Sequence, residues 1–315
     1  MRRATRALFT KSLRTGRGRS CWSNEGREMT MQHENPPHTV TALRRWSCQD
    51  KQLPAVDNIG SIHIYDFDNT LFSTPLPNLK LWTRGTYGFI QGQDSLHDGG
   101  WWHNPSILSA VGAGIDVEEP RGWSGCWNEK IVELAQLSSQ DPDTLTVLLT
   151  GRQESRFAEL ISRIITARGL QFDMVVLRPK VGPGGQELSS TRRFKEALLK
   201  DVVFTYISAS EIRIYEDRAN HAQAFRNFFS ELNRNELNKN LSLANSSRTA
   251  FRAPRSTIKA EVVQVTEQDT VMDPVTETAA VQRMINSHNE AILAGNARER
   301  TFPYQIKRTV SRTNF

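Results

Sequence analysis

Short apolar runs alternate with helix-spaced apolar positions through the middle of the chain. Ile62 to Tyr65, Leu145 with Val147 to Leu149, Phe172 to Leu177, and Ile212, Ile214 and Tyr215 read as strands. Phe157, Leu160, Ile161, Ile164 and Ile165 recur at helical spacing. So do Ala197, Leu198, Leu199 and Val202, and later Ala222, Phe225, Phe228, Phe229 and Leu232. Strands alternating with helices predict an α/β fold, a mostly parallel sheet with helices on both faces. Residues 59–232 form the predicted core, with an insert at about 73–128 between its first two strands. From Asn233 to Ser247 the chain turns polar and Asn-rich and reads as a linker. Beyond it, a strand at Ile258 to Val265, a helix from about Thr276 to Leu293 and a weakly alternating run from Tyr304 to Val310 predict a strand-helix-strand appendage within 233–315.

The strands end in chemistry. Asp66-Phe67-Asp68-Asn69-Thr70 follows the first; residues i and i+2 of an extended segment share a face, so Asp66 and Asp68 can converge on one phosphorus centre. One carboxylate can attack while the other manages protons. By itself the pair fits the start of a turn equally well. The second strand runs into Thr150-Gly151-Arg152 and then a helix, which predicts a tight turn whose hydroxyl and free N–H groups hold a phosphate oxygen. The fourth runs into Glu216-Asp217-Arg218. In open parallel sheets the ligand crevice lies outside the carboxyl ends of the strands, so Asp66, Asp68, Thr150 and Asp217 are expected to meet.

These motifs resemble the haloacid dehalogenase (HAD) superfamily of phosphohydrolases, with its Asp-x-Asp-x-Thr motif, its Thr or Ser ending a strand, and its acidic pair ending another. Tyr65 to Phe72, Gly99-Gly100-Trp101-Trp102, Leu148 to Arg152 and Tyr215 to Arg218 resemble in particular the HAD domain of fungal Swiss Army Knife RNA repair proteins. The resemblance implies a HAD-like Rossmannoid sheet with a cap-type insert after the first strand. It implies Asp66 as a nucleophile that forms an aspartyl-phosphate, Asp68 as general acid and base, and Thr150, with Gly151 and Arg152, as phosphoryl-binding. It also implies Mg²⁺ held by Asp66, Asp217 and the backbone carbonyl of Asp68, with Glu216 behind them or as an alternative ligand. Mg²⁺ takes one or two carboxylates and bridges to substrate oxygens. The superfamily's lysine falls on Lys195, in Thr191-Arg192-Arg193-Phe194-Lys195, or on Lys180; Lys195 is the favoured position. The carboxylate at 68 argues for a phosphatase or phosphomutase over a dehalogenase.

The implied activity is Mg²⁺-dependent phosphomonoester hydrolysis, on RNA ends by analogy with the RNA-repair association. A phosphotransferase, or a non-catalytic RNA- or protein-binding module on the same scaffold, remains open. No kinase P-loop or ligase lysine motif is visible. Oligomeric state is not legible.

Charge is uneven around a formal net of +6: residues 1–60 carry 11 basic and 5 acidic side chains, 61–232 carry 17 and 21, and 233–315 carry 12 and 8. Basic flanks either attract a polyanion such as RNA or are simply solvated. The 3 cysteines show no pairing or zinc spacing, which fits a reducing compartment. No apolar run approaches the roughly 20 residues of a membrane span, so a soluble, intracellular protein is expected. Residues 1–58 read as a basic, disordered segment and linker. The first 24 residues hold Arg and Lys but no acid, as in a mitochondrial transit peptide or a plain basic extension; without import the compartment is cytoplasm or nucleus. Five tryptophans fall in the insert: Trp82, Trp101, Trp102, Trp123 and Trp127. They form either a local core, the favoured reading, or a stacking platform for bases. His97, His103 and His221 read as surface residues or phosphate contacts.

Overall fold

The computed structural model describes residues 38–188, 190–244, 255–266, 270–296 and 302–309. The segment 1–37, with the transit-peptide reading and most of the proposed linker, lies outside these, as do 245–247 and Val310.

Strand β1 (Ser61–Asp66) is the centre of a fully parallel five-stranded sheet. On one side lie β2 (Thr144–Gln153) and then β3 (Met174–Arg178), and on the other β4 (Glu211–Glu216) and then β5 (Lys259–Gln264). The chain builds outward from β1 in one direction and then returns to its other side, so the carboxyl end of β1 is a topological switch point. Register aligns the strand ends there: Asp66 pairs with Leu149 and Tyr65 with Tyr215.

Both faces of the sheet are covered, which explains why its strands read as continuous apolar runs. On one face Ile62, Ile64, Val147, Val176 and Ile214 pack with Phe194, Leu198 and Val202 of α7 (Thr191–Thr205) and Phe225 and Phe229 of α8 (Ala219–Ala244). On the other, Tyr65, Leu148 and Val175 pack with Ile131 and Val132 of α5 (Glu129–Gln140) and with Phe157, Leu160, Ile161, Ile164 and Ile165 of α6 (Glu154–Ala167). Each such side chain contributes roughly 1.5–3 kcal/mol on burial.

The insert holds α2 (Arg84–Gln91), α3 (Pro105–Ser109) and α4 (Ile115–Glu118). Trp82 and Trp101 of the insert pack with Ile90 and Ile107 and with Ala280, Val281, Met284 and Ile285 of the C-terminal helix α9 (Pro274–Leu293), a third apolar cluster. Buried Glu277 of α9 ties the two: it accepts from Trp82 Nε1 at 2.6 Å and from the Asn78 amide at 2.8 Å. Trp123 and Trp127 join the core beneath the sheet. Four of the five insert tryptophans are thus core residues, and Trp102 alone is partly exposed.

Four expectations are corrected. The strand expected at Ile258 to Val265 is no appendage: as β5 it completes the central sheet beside β4. The end of the proposed linker is part of the fold: α1 (Val40–Arg44) buries Leu43, and Trp46 and Leu53 follow it into the core. The Cys48 amide donates to the Val175 carbonyl at 2.8 Å, covering the exposed edge of β3. The Asn-rich stretch from Asn233 is the second half of α8, because its side chains find work there. Asn233 donates to the Ile258 carbonyl and accepts from the Ile258 amide, stitching the chain that enters β5. The run from Tyr304 is not a strand over its described residues. It pairs only through an isolated bridge between Arg308 and Trp82 on the insert, where the Tyr304 ring stacks on Phe89 at 3.7 Å.

Candidate active site

The carboxyl ends of β1, β2 and β4 gather the expected residues, and α7 adds a cation beneath them. Asp66 closes β1, Glu216 closes β4 and Asp217 follows it; one oxygen from each of these three buried acids lies within 4.8 Å of the others. Lys195, in the second turn of α7 and 2% exposed, donates to Asp66 Oδ1 at 2.7 Å and to Glu216 Oε2 at 2.8 Å. Lys180 is exposed and makes no part of this cluster. Thr70, at the end of the first motif, donates to Asp217 Oδ1 at 3.5 Å.

Asp68 stands apart from this cluster. After β1 the chain turns through Asn69, which has a left-handed φ of 56°. The Asp68 carboxylate accepts from Thr74 Oγ1 at 2.8 Å, Thr150 Oγ1 at 3.3 Å and the Arg152 guanidinium at 2.7 Å. Its side chain is therefore not part of the three-acid group; the part given to Asp68 in metal binding rests on its backbone carbonyl alone. Arg152, 4% exposed, also donates to the Trp102 carbonyl at 3.2 Å and lies between the Trp102 and Phe157 rings.

The tight turn expected at Thr150-Gly151-Arg152 is instead strand. β2 continues to Gln153 with a pairing irregularity between Thr150 and Gln153, and α6 begins only at Glu154. Such an irregularity re-aims side chains, and Arg152 turns in toward Asp68. Thr150 contributes its hydroxyl, which accepts from the Arg152 amide at 3.2 Å, and no helix terminus. Gly151 lets α7 approach closely: a Cβ there would lie 2.5 Å from Thr191 Cγ2 at the start of α7, and one of the two would have to shift.

Burial and charge set the protonation states. Asp217 is pushed up to about 8 by burial and by the carboxylates of Asp66 and Glu216 beside it. Burial, outweighing Lys195, raises Asp66 to about 6. Burial also works against Glu216, but Lys195 and His221 overcome it and hold Glu216 down at about 2. For Asp68 the cost of burial is outweighed by Arg152 and Thr74, leaving it below the ordinary carboxylate range. Three buried acids are faced by Lys195 and, through charge alone, by Arg218, which leaves them short of positive charge. That donor set fits a hard divalent cation such as Mg²⁺, with Asp66 and Asp217 as the carboxylate ligands. Glu216 spends its oxygens on Lys195 and, at 3.3 Å, on the Arg218 amide, so it braces the site as well as bordering it.

Above the acids lies a cavity of about 400 Å³ lined by Asp68, Asn69, Trp102, Arg152, Asp217 and Arg218 among others. Trp102 and His103 come from the insert, as a cap would supply them. Thr74 and Arg178 were given no part by the sequence reading, and Asn69 and Arg218 stood in its motifs without a task of their own. Arg178 and Arg218 alone carried a signal, as cations ending strands. His221 lies 3.4 Å from Glu216 Oε1 and is not a surface residue, while His97 engages His288 through its backbone amide.

Comparison with known proteins agrees with this architecture. Residues 74–290 match HAD domain family 1 of Swiss Army Knife RNA repair proteins. The match begins just after Asp66 and Asp68, whose placement rests on the geometry above. The uncharacterized protein YMR265C of Saccharomyces cerevisiae is 34% identical over 221 residues, covering 67% of this chain and 42% of the yeast protein. The chain thus spans less than half the length of that relative. No solved structure matches significantly. No helix among the described residues is long and apolar enough to cross a membrane. With its parallel α/β sheet, its capped acidic crevice and this match over most of its length, the chain belongs to HAD domain family 1 of the Swiss Army Knife RNA repair proteins.

Proposed function

We propose that the chain is a Mg²⁺-dependent phosphomonoester phosphohydrolase that works through an aspartyl-phosphate on Asp66. The observation that carries this reading is the Lys195 ammonium lying 2.7 Å from Asp66 Oδ1 inside a group of three acids at the sheet's switch point. Asp66 Oδ attacks phosphorus, the bond from phosphorus to the leaving oxygen breaks, and Asp68 protonates that oxygen as it departs. Asp68 then takes a proton from the water that hydrolyses the acyl-phosphate, releasing inorganic phosphate and restoring Asp66. Bound at Asp66 and Asp217, Mg²⁺ would supply charge neutralisation for a carboxylate approaching a phosphate dianion.

Each supporting residue has a task the geometry suits. Lys195 and Glu216 orient Asp66, and the lysine offsets charge on the transferring oxygens. Arg152, Thr74 and Thr150 fix the Asp68 carboxylate two residues from the nucleophile. An arriving phosphate competes for Arg152, and a loosened guanidinium lets Asp68 take up the proton it must give. The substrate we propose is a terminal phosphate on RNA. Support for it comes from the family's description and from the surplus of basic residues flanking the core.

The test is Mg²⁺-dependent phosphate release from an aryl phosphate and from 3′- and 5′-phosphorylated RNA oligonucleotides. Wild type is expected to release phosphate and Asp66→Asn to lose at least about 10³-fold. Equal behaviour of the two proteins would remove the phosphohydrolase reading, and transfer to an added alcohol in place of release would make the chain a phosphotransferase.

A further inference from the structure

Arg178, at the carboxyl end of β3, and Arg218, just beyond β4, line the same cavity as Arg152. Arg152 is spent on Asp68 and the Trp102 carbonyl. Neither the Arg178 nor the Arg218 guanidinium has a hydrogen-bond or ion-pair partner among the described residues. Two strand ends thus deliver guanidinium forks into one cavity, Arg178 uncommitted and Arg218 already drawn to the Asp66, Asp68, Glu216 and Asp217 carboxylates. At about 400 Å³ it lies within the range of roughly 300–1,000 Å³ that ligand pockets occupy.

Two further observations mark this space as a ligand site. Asn69 is 5% exposed and lines the cavity, yet its Oδ1 has no partner. An amide left unsatisfied when buried is costly, and it can turn either its oxygen or its NH₂ toward a ligand. His103 also lines the cavity with a buried, unpartnered Nδ1. Burial and the nearby Arg178, Arg152 and Arg156 hold its imidazole below the ordinary range, so it is neutral at physiological pH. Positive charge in this part of the cavity is therefore guanidinium charge, in the fork geometry that matches phosphate.

Position separates the Arg178 charge from the reacting centre, while Arg218 stands beside the acids there. β3 stands two strand spacings from β1, roughly 10 Å, while the phosphorus to be transferred lies at Asp66, with Lys195 beside it. Arg178 therefore lines a part of the cavity displaced from that phosphorus. We propose that Arg178, assisted by Arg218, forms a second anion subsite, so that the preferred substrates carry a second phosphate near the scissile monoester. This rests on the phosphohydrolase reading for what happens to the first phosphate, but the binding of the second stands independently of it. The second phosphate belongs either to the adjoining phosphodiester of a nucleic acid end or to a small bisphosphate.

The experiment is calorimetric titration of the intact chain, as wild type and as the turnover-blocked Asp66→Asn, with Mg²⁺ present. The probes are adenosine 3′-monophosphate, adenosine 3′,5′-bisphosphate, a 3′-phosphorylated RNA hexamer, and that hexamer with a neutral methylphosphonate as its last linkage. The probes with a second charge are expected to bind at least about tenfold tighter than the monophosphate. Arg178→Gln is expected to reduce that preference to about threefold or less, with Arg178→Lys between, since it keeps the charge and loses the fork. Unchanged melting of both variants shows that the fold is intact. A penalty from the methylphosphonate assigns the second phosphate to a nucleic acid chain, and a bisphosphate that binds as well as the hexamer assigns it to a small molecule. Equal affinity for one and two phosphates in wild type, a preference that survives Arg178→Gln, or no binding of any probe overturns the subsite. If the preference and its loss are seen but wild type releases no phosphate from any probe, the phosphohydrolase reading falls and the subsite stands.

Discussion

Lys195 and Asp66, 129 residues apart in the chain, meet at 2.7 Å with side chains only 2% and 4% exposed. A lysine is buried this deeply only where its charge is matched. Here Glu216 provides the second match at 2.8 Å.

Lys195→Met keeps the volume and removes the charge, leaving two carboxylates buried together. We expect a loss of about 3–5 kcal/mol of stability at neutral pH and a fall in phosphate release of at least about 10²-fold. Lys180→Met, at an exposed lysine, is expected within about 0.5 kcal/mol of wild type. Urea unfolding of the two variants checks the contrast.

Acidity gives a second expectation. Burial and the neighbouring carboxylates hold Asp217 at about 8, and burial holds Asp66 at about 6, both well above the ordinary aspartate range. Between about pH 4 and 8 the folded, metal-free chain therefore binds protons that the unfolded chain has released, and its stability must fall as pH rises through that window. Glu216 acts in the opposite sense, losing its contribution only as pH falls from 4.5 toward 2. In chelator we expect Tm to drop by at least about 2–4 °C from pH 5 to pH 8.5. Added Mg²⁺ competes with those protons, so its affinity should rise over the same interval. Calorimetric melting with and without the ion reads both.

Glu277 links the insert to α9 by accepting from Trp82 Nε1 and the Asn78 amide. Glu277→Ala leaves both donors buried without a partner, at about 1–3 kcal/mol each. Near-UV circular dichroism should show loosened tryptophan packing, and Glu277→Gln should recover most of it because its amide oxygen still accepts.

The sheet and its chemistry were legible because each strand combined a short apolar run with acids or a threonine at its end, and parallel topology sends those ends to one side. Lys195 was harder, since it stands on a helix and only the family pattern singled it out from Lys180. The re-aimed strand at Gly151 and Arg152 was not legible. A strand that continues past its apolar run looks like a turn in sequence, and only packing against Thr191 shows what a glycine there allows. The α8 extension was missed for a related reason. An asparagine side chain competes with helical backbone bonds in solution, but here Asn233 is engaged instead by Ile258 just ahead of β5. The pairing of insert and C-terminal helix depends on contacts across nearly 200 residues, which no local pattern encodes.

The most direct measurement uses Asp68→Asn, in which the nucleophile is intact but the group that activates water is gone. Turnover should fall by about 10²–10⁴-fold, and the phosphoenzyme should outlive the first step. Rapid acid quench after mixing with an activated aryl phosphate and Mg²⁺, followed by peptide mass spectrometry, is predicted to find one phosphoryl group on Asp66 and none in the Asp66→Asn, Asp68→Asn double variant. Phosphate release by wild type with no phosphorylated Asp66 in either protein, or a phosphoryl group on another residue, would contradict the account.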